Sequence, residues 1–170
     1  MQRVAIVGPC GAGKSTLARK LGEITGLPVY HMDRLYWLPG WVEERRKRFD
    51  KKLRKVVETE QWIIDGNYSR TFHIRLPRAD TVIYLDFPRH IYFRRVIWRI
   101  IKGYGRTRSD VSEGCVERFD PEFLKLVWNI PKKSRPGILS ALQEYNGTFS
   151  LYTLSTPREV REFLQKLKIT

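Results

Sequence analysis

Gly8-Pro9-Cys10-Gly11-Ala12-Gly13-Lys14-Ser15 is a full G-x-x-x-x-G-K-[ST] match, and its flanks decide the fold. Val4-Ala5-Ile6-Val7 before it is a short β-branched run suited to a buried strand, and Ser15-Thr16-Leu17-Ala18-Arg19-Lys20-Leu21 after it reads as a helix. Strand, glycine loop and helix in that order build a phosphate cradle. The glycines let the backbone curl so that successive N–H groups approach phosphate oxygens, and the helix N-terminus adds its positive dipole end. The stretch from Gly8 through Pro9, Cys10, Gly11, Ala12 and Gly13 to Lys14, Ser15 and Thr16 is therefore expected to bind a nucleoside triphosphate. Lys14 would reach the β- and γ-phosphates, and the Ser15 hydroxyl would ligate Mg²⁺.

Working outward, 170 residues fit a single domain, 1–170, large enough for a real core. The sequence has no apolar run near the roughly 18 residues of a membrane span, and Met1-Gln2-Arg3 leads directly into the first strand. The expectation is a cytoplasmic chain without a signal or membrane segment. Cys10 and Cys115 make neither a disulfide framework nor a metal cluster, and His31, His73 and His90 lack ligand spacing. All five are expected to be ordinary side chains.

The formal charge of +14, from 32 Lys and Arg against 18 Asp and Glu, is the main compositional anomaly. A site that transfers phosphoryl groups uses several arginines. The excess favours nonspecific attraction of nucleic acid or other polyanions through the surface. Much of it lies between Arg45 and Lys55, where eight basic residues accompany only Asp50, a pattern that suits the solvated face of a helix.

Strands separated by helices indicate an α/β fold with a parallel sheet. Val29-Tyr30, Trp62-Ile63-Ile64, Thr81-Val82-Ile83-Tyr84-Leu85 and Phe149 to Leu154 are the expected second to fifth strands. A charged helix is expected over 42–60, with Val42, Phe49, Leu53, Val56 and Val57 inward. A long helix should run from Pro88 to Lys102, packing through Phe93, Ile97, Ile100 and Tyr104 and presenting Arg95, Arg99, Lys102 and Arg106 on the other side. Residues 103–120, holding Gly103, Gly105 and Gly114 and no apolar period, read as a mobile segment. Helices over 121–130, 136–146 and 157–167 complete the pattern.

Together these residues resemble the branch of the P-loop kinases that includes adenylate, shikimate and gluconate kinases. Trp62-Ile63-Ile64-Asp65-Gly66-Asn67-Tyr68-Ser69-Arg70-Thr71 is similar to the strand-D-G-F-P-R-T element of adenylate kinases, with one extra residue before the arginine. The resemblance implies a P-loop NTPase three-layer sandwich with a five-stranded parallel sheet ordered 2-3-1-4-5 and a mobile lid over about 103–120. It further implies Asp65 on a Mg²⁺-bound water, Arg70 on a phosphate, Arg95 and Arg99 on the nucleotide, and Arg106 and Arg108 delivered by the lid. Asn67 and Tyr68 would then contact substrate. Asp33-Arg34-Leu35-Tyr36-Trp37-Leu38-Pro39-Gly40-Trp41, Asp65-Gly66-Asn67-Tyr68, and Gly114-Cys115 with Trp128 more closely resemble bacterial proteins labelled DNA topology modulation proteins. That label implies a DNA-associated role with weak ATPase activity as the alternative to a kinase.

The chain departs from adenylate kinases after its second strand, where it offers Asp33, two tryptophans and a basic helix. Asp33 lies where shikimate- and uridine-kinase-like enzymes place an aspartate on the acceptor hydroxyl, and a carboxylate there can orient that hydroxyl and take its proton. Asp33 could equally cap a turn. Tyr36, Trp37 and Trp41 stack on a substrate ring or fill the core. Asp65 could cap its strand, and Arg95 and Arg99 could form a solvated face. The reading is an ATP-dependent small-molecule kinase whose acceptor is a nucleotide, a nucleoside or another hydroxyl compound.

Overall fold

The computed structural model describes residues 1–169. In chain order the elements are β1 (Arg3–Val7), α1 (Lys14–Thr25), β2 (Val29–His31), α2 (Met32–Tyr36), β3 (Trp37–Leu38), β4 (Val42–Glu43), α3 (Arg46–Val57), β5 (Trp62–Asp65), α4 (Phe72–Arg75), β6 (Thr81–Leu85), α5 (Arg89–Gly103), α6 (Pro121–Trp128), α7 (Ile130–Lys133), α8 (Arg135–Glu144), β7 (Ser150–Leu154) and α9 (Pro157–Ile169). Five strands form one parallel sheet in the order β2-β5-β1-β6-β7, which is the expected 2-3-1-4-5 when only sheet strands are counted. β3 and β4 form a separate antiparallel hairpin.

β1, β5 and β6 read as continuous apolar runs because helices cover both faces of a parallel sheet. Alternate side chains of β1 enter different layers. Val4 and Ile6 join Leu17 and Leu21 of α1, Tyr92 and Val96 of α5 and Leu164 of α9. Ala5 and Val7 join Phe49 and Leu53 of α3 and Ile138 and Leu142 of α8. The chain runs outward on one side of β1 through β2 and on the other through β7. Its switch point lies at the carboxyl end of β1, where ligands bind in open α/β sheets.

Two expectations need correcting. The basic helix begins at Arg46, not at 42: Glu44 is buried, accepts Lys52 Nζ at 2.7 Å and takes the Arg45 N–H at 2.9 Å, so the chain before it turns into the hairpin. Val42, expected inward, is 56% exposed. On α5 the buried stripe is Tyr92, Val96 and Ile100, one residue away from the expected Phe93 and Ile97. Phe93 instead stacks edge-on against Trp128 of α6 at 5.1 Å, and Tyr104, past the helix end, is 66% exposed.

The phosphate loop is wedged against its neighbours. A Cβ on Gly8 (φ +143°) would lie 2.5 Å from the Leu85 carbonyl oxygen, and one on Gly11 (φ +80°) would lie 2.4 Å from the Tyr92 carbonyl oxygen and 2.7 Å from Val96 Cγ2. Gly11→Ala therefore combines a left-handed backbone penalty of about 1 kcal/mol with overpacking of about 1–3 kcal/mol. Thermal denaturation should show a loss of about 2–4 kcal/mol; a neutral result would mean that the loop does not press on α5.

Candidate functional site

The loop, the first turn of α1, the ends of β1, β5 and β6, the hairpin and residues 105–120 enclose a cleft of about 1340 Å³. Its volume exceeds the roughly 300–1,000 Å³ typical of one small ligand, so it has room for two. Gly13, in the left-handed conformation, caps α1, and Lys14, Ser15 and Thr16 line the cleft. The unpaired N–H groups of that first turn face the same space, where an anion is favoured. Lys14 Nζ donates to the carbonyls of Gly8 at 2.9 Å and Pro9 at 3.0 Å. Among the described residues it forms no ion pair, and it acts on the Asp33 carboxylate only at longer range.

Parallel pairing sets Asp65 beside Ile6 and His31 beside Asp65, and this register assembles the next part. Ser15 Oγ donates to Asp65 Oδ2 at 2.8 Å, and His31 Nδ1 makes a very short contact with Asp65 Oδ1. Asp65 is 4% exposed, so its bonded oxygens hold it in one orientation. Asp110 faces Ser15 from the far wall. Burial raises the Asp110 carboxyl, but Arg108 and the Ser15 hydroxyl outweigh it and leave the group below its ordinary range. Asn67 Oδ1 accepts the Gly8 N–H at 2.8 Å, tying the loop to the segment after β5. Arg75, fully buried, donates to the Asn67 carbonyl and lies over the Phe72 ring. Burial lowers its pKa to about 9.

Asp33 opens α2 and accepts the Tyr68 hydroxyl at 2.8 Å. Burial raises its carboxyl above the ordinary range, against the lowering influence of that hydroxyl, Arg108 and Lys14. Tyr68 holds a left-handed backbone (φ 34°) that turns its ring onto Tyr36 and Phe49, at 4.9 and 5.3 Å between centroids. Trp37 and Trp41 meet edge to face at 5.5 Å and line the cleft with Glu43.

The segment after α5 has no regular element beyond two isolated bridges, Tyr104 with Glu117 and Thr107 with Val116. It is docked across the cleft. Trp41 Nε1 donates to the Val116 carbonyl at 2.8 Å, the Gly40 N–H to Gly114 at 3.2 Å, the Cys115 thiol to Leu38 at 3.2 Å, and Ser112 Oγ to Arg34 at 3.0 Å. Glu117, 4% exposed, lies 3.2 Å from Arg99 Nε and 2.8 Å from Arg108 Nε. Arg108 also reaches Asp110 at 3.2 Å. Arg95 donates to the Ala12 carbonyl at 3.0 Å and lies over Phe87.

The structure thus brings Cys10 to Thr16, Asp33, Trp37, Asp65, Asn67, Tyr68, Arg95, Arg99 and Arg108 around one cleft, with Gly8 and Pro9 behind the loop. Three expected contacts fall elsewhere. Arg70, assigned to a phosphate, forms a two-pronged pair with Asp50 at 2.9 and 2.7 Å outside the cleft. Tyr36, offered for stacking on substrate, is spent on Trp37, Phe49 and Tyr68. Arg106 is exposed outside the lining. Sequence reasoning missed His31, Glu43, Asp110 and Glu117, and it missed the apolar end made by Phe123 of α6 and Val160 and Leu164 of α9. Only the i, i+3, i+4 apolar repeat of α9 could have signalled any of these.

No family model matches the chain. Adenylate kinases of Thermotoga petrophila and Thermotoga maritima are each 30% identical to it over 80 residues, covering 47% of this chain and 36% of theirs. The chain thus spans little more than a third of the length of these curated relatives. Among solved structures, shikimate kinase from Acinetobacter baumannii in complex with shikimate superimposes with a TM-score of 0.61 at 17% identity, covering 98% of this chain and 90% of that one. Shikimate kinase from Aquifex aeolicus gives 0.52 at 16% identity, over 98% and 96%. At these identities the likeness establishes the fold: this chain has the P-loop NTPase fold of shikimate kinases.

Glu117 holds two guanidiniums together, so Glu117→Gln should leave them repelling one another at a largely buried site, at a cost of about 3–5 kcal/mol when a buried pair loses one member. Hydrogen exchange over 105–118 should accelerate more than exchange in β1 or β5. Uniform acceleration would instead mean that Glu117 supports the whole fold and not the docking of this segment.

Proposed function

We propose that the chain is an ATP-dependent kinase that transfers the γ-phosphate to a hydroxyl of a small molecule. The observation that carries the reading is the placement of Asp33 across one cleft from a complete phosphate loop, with Lys14 and the Ser15–Asp65 pair between them. The partial likeness to adenylate kinases and the shikimate kinase fold support it.

In this reading the loop N–H groups and the α1 N-terminus hold the β- and γ-phosphates, and Lys14 leaves its carbonyl partners for the transferring group. The base lies toward Phe123 and Val160, with Arg95 over it. Ser15 and Asp65 offer hard oxygen donors, one directly and one through water, which suits Mg²⁺ and its preference for retaining waters. Among the described residues no group of three or more His, Cys, Asp or Glu could hold a metal ion by itself; phosphate oxygens and water would complete the shell. That ion supplies charge neutralisation on the phosphate oxygens. His31 keeps Asp65 aligned, while Asn67 keeps Gly8 in place. Asp33 orients the acceptor hydroxyl; its oxygen bonds to the γ-phosphorus as the bond to the β-phosphate oxygen breaks, ADP departs, and the hydroxyl proton passes to Asp33. Arg99 and Arg108 trade Glu117 for phosphate, and the docked segment excludes water.

The basic face of α3, with Arg46, Lys47, Lys51 and Lys55 exposed, does not line the cleft. Its charge suits nonspecific polyanion attraction and has no part in the transfer. No helix among the described residues is long and apolar enough to cross a membrane.

Two substitutions divide the roles. Lys14→Ala should lower ATP turnover about a hundred- to a thousandfold, the cost of removing one group aimed at developing charge, with the circular dichroism spectrum unchanged. Asp33→Asn should leave ATP affinity within error by calorimetry but lower acceptor phosphorylation about 10²- to 10⁴-fold. Because burial raises the Asp33 carboxyl, it takes up a proton at a higher pH than an ordinary aspartate. The acid limb of the activity profile should therefore sit above the ordinary carboxylate range and vanish in Asp33→Asn. An Asp33→Asn enzyme that loses ATP affinity as steeply as transfer would move Asp33 into the donor site.

A further inference from the structure

We infer that the acceptor is a hydroxyl compound without phosphate or carboxylate, one that offers an apolar or π face, such as a nucleoside or an amino sugar. The inference rests on the kinase reading above and specifies its acceptor. It comes from the polarity of the cleft. At the loop end, the hydrogen bonds of Lys14 and Arg95 go to carbonyl oxygens among the described residues, with Arg95 also over the Phe87 ring, and no carboxylate there competes with a polyphosphate for them. At the hairpin end the lining is Asp33, Trp37, Trp41, Glu43, Asn67 and Tyr68, two carboxylates and three aromatic rings.

No cation neutralises that end. Among the described residues, none lies within ion-pair distance of Asp33 or Glu43; Lys14 and Arg108 act on Asp33 only at longer range, and the Glu43 carboxylate takes the Tyr36 hydroxyl. The arginines nearest that end carry counter-charges or stand in solvent. Arg70 is paired two-pronged with Asp50 outside the cleft. Arg99 and Arg108 face Glu117 and Asp110, two positive charges against two negative, and Arg118, which also lines the cleft, is exposed to solvent, where its charge is screened. A phosphate or carboxylate brought to the hairpin end would meet Asp33 and Glu43 with no cation in ion-pair contact with either among the described residues, and like charges in a part-buried site repel. A ring bearing hydroxyl or amino groups meets indole faces, which attract sugar faces, bases and ammonium groups, and carboxylates that accept its hydrogen bonds. Trp41 is fixed by the Val116 carbonyl, so the stacking surface is already in place.

The test uses the full chain with a non-hydrolysable ATP analogue and reads Trp37 and Trp41 by intrinsic fluorescence, with Trp37→Phe and Trp41→Phe assigning the signal. Adenosine, uridine, guanosine, glucosamine and a deoxystreptamine aminoglycoside are titrated against AMP, UMP and shikimate. At least one uncharged or cationic compound should saturate the signal and stimulate ADP release with ATP, while the anions do neither at the same concentration. Glu43→Lys, at an exposed position, should weaken that compound about tenfold or more, as reversal of a nearby charge does, leaving ATP affinity within about twofold. Saturation by AMP, UMP or shikimate at comparable or lower concentration, silence from every uncharged and cationic compound, or an unchanged affinity in Glu43→Lys would each overturn the inference. Failure of the kinase reading looks different. A selected compound would then bind and respond to Glu43→Lys without stimulating ADP release.

Discussion

Everything in this molecule depends on how closely the backbone of the phosphate loop is pressed against two neighbours. Side chains at Gly8 and Gly11 would sit inside van der Waals contact of the Leu85 and Tyr92 carbonyls, so the loop is packed as tightly as a core. That contact sets the height of α1 above the sheet, and with it the position of Ser15. The parallel register then brings Asp65 level with the end of β1, where a hydroxyl one residue beyond Lys14 can bond to it. Asn67, two residues past Asp65, closes the arrangement by accepting the Gly8 N–H. The cradle is preorganised by β-sheet geometry, so on the proposed reading a phosphate would enter it with little rearrangement.

Charge organises the rest. In a chain carrying +14, three of the four buried carboxylates among the described residues, Asp65, Asp110 and Glu117, lie at the cleft, while Glu44 pairs with Lys52 on α3. Each is a group whose burial is costly without partners, and each has them. Glu117 and Asp110 hold Arg99 and Arg108 in reserve: the guanidiniums stand near where transferring charge would develop, already desolvated, with anions that a phosphate can replace. Replacement of one anion by another costs less than recruiting an arginine from water, where its hydration and rotamer freedom would both be lost. Arg75 has a different place. Buried behind the segment after β5, it fixes the Asn67 carbonyl and so supports the loop at one remove.

The parallel sheet, its order and the donor half of the cleft were legible in the sequence because their signals are local. The glycine loop between a β-branched run and a helix, and Asp65 at the end of an apolar run, each carry their meaning within a few residues. The acceptor half was less legible. Arg70 reads as a phosphate ligand by position, yet Asp50, twenty residues earlier on α3, takes it; no periodicity foretells which arginine a distant aspartate will claim. Tyr36 and Trp37 are adjacent, but the turn from α2 into the hairpin sends one into the aromatic cluster and the other to the cleft. The stripe of α5 was misplaced by one position because Phe93 and Tyr92 are both apolar enough to be core, and only the approach of Gly11 to Tyr92 selects between them. Glu117 and Asp110 lie in a stretch without periodicity, and their partners are supplied by tertiary contact alone.

The docked segment and the hairpin form a single wall, which on the proposed reading would tie acceptor recognition to the docking of that segment. Four bonds from 34–41 to 112–116 involve a main-chain carbonyl as acceptor, so the seam depends on backbone placement more than on side-chain identity. A Cβ on Gly114, at φ +82°, would meet Pro39 Cβ at 3.2 Å, and this close fit sets how near the two stretches come. Trp41 contributes both a ring to the acceptor end and an N–H to the seam. A ligand that displaces its ring must strain the bond to Val116, while one that stacks on it without displacement leaves the seam intact. On the proposed kinase reading, the docked state would favour acceptors thin enough to lie against the indole, and because Glu117 follows Val116 directly, the same contact would bear on where Arg99 and Arg108 stand. Shape at one end of the cleft and charge at the other would then be read through one short stretch of chain.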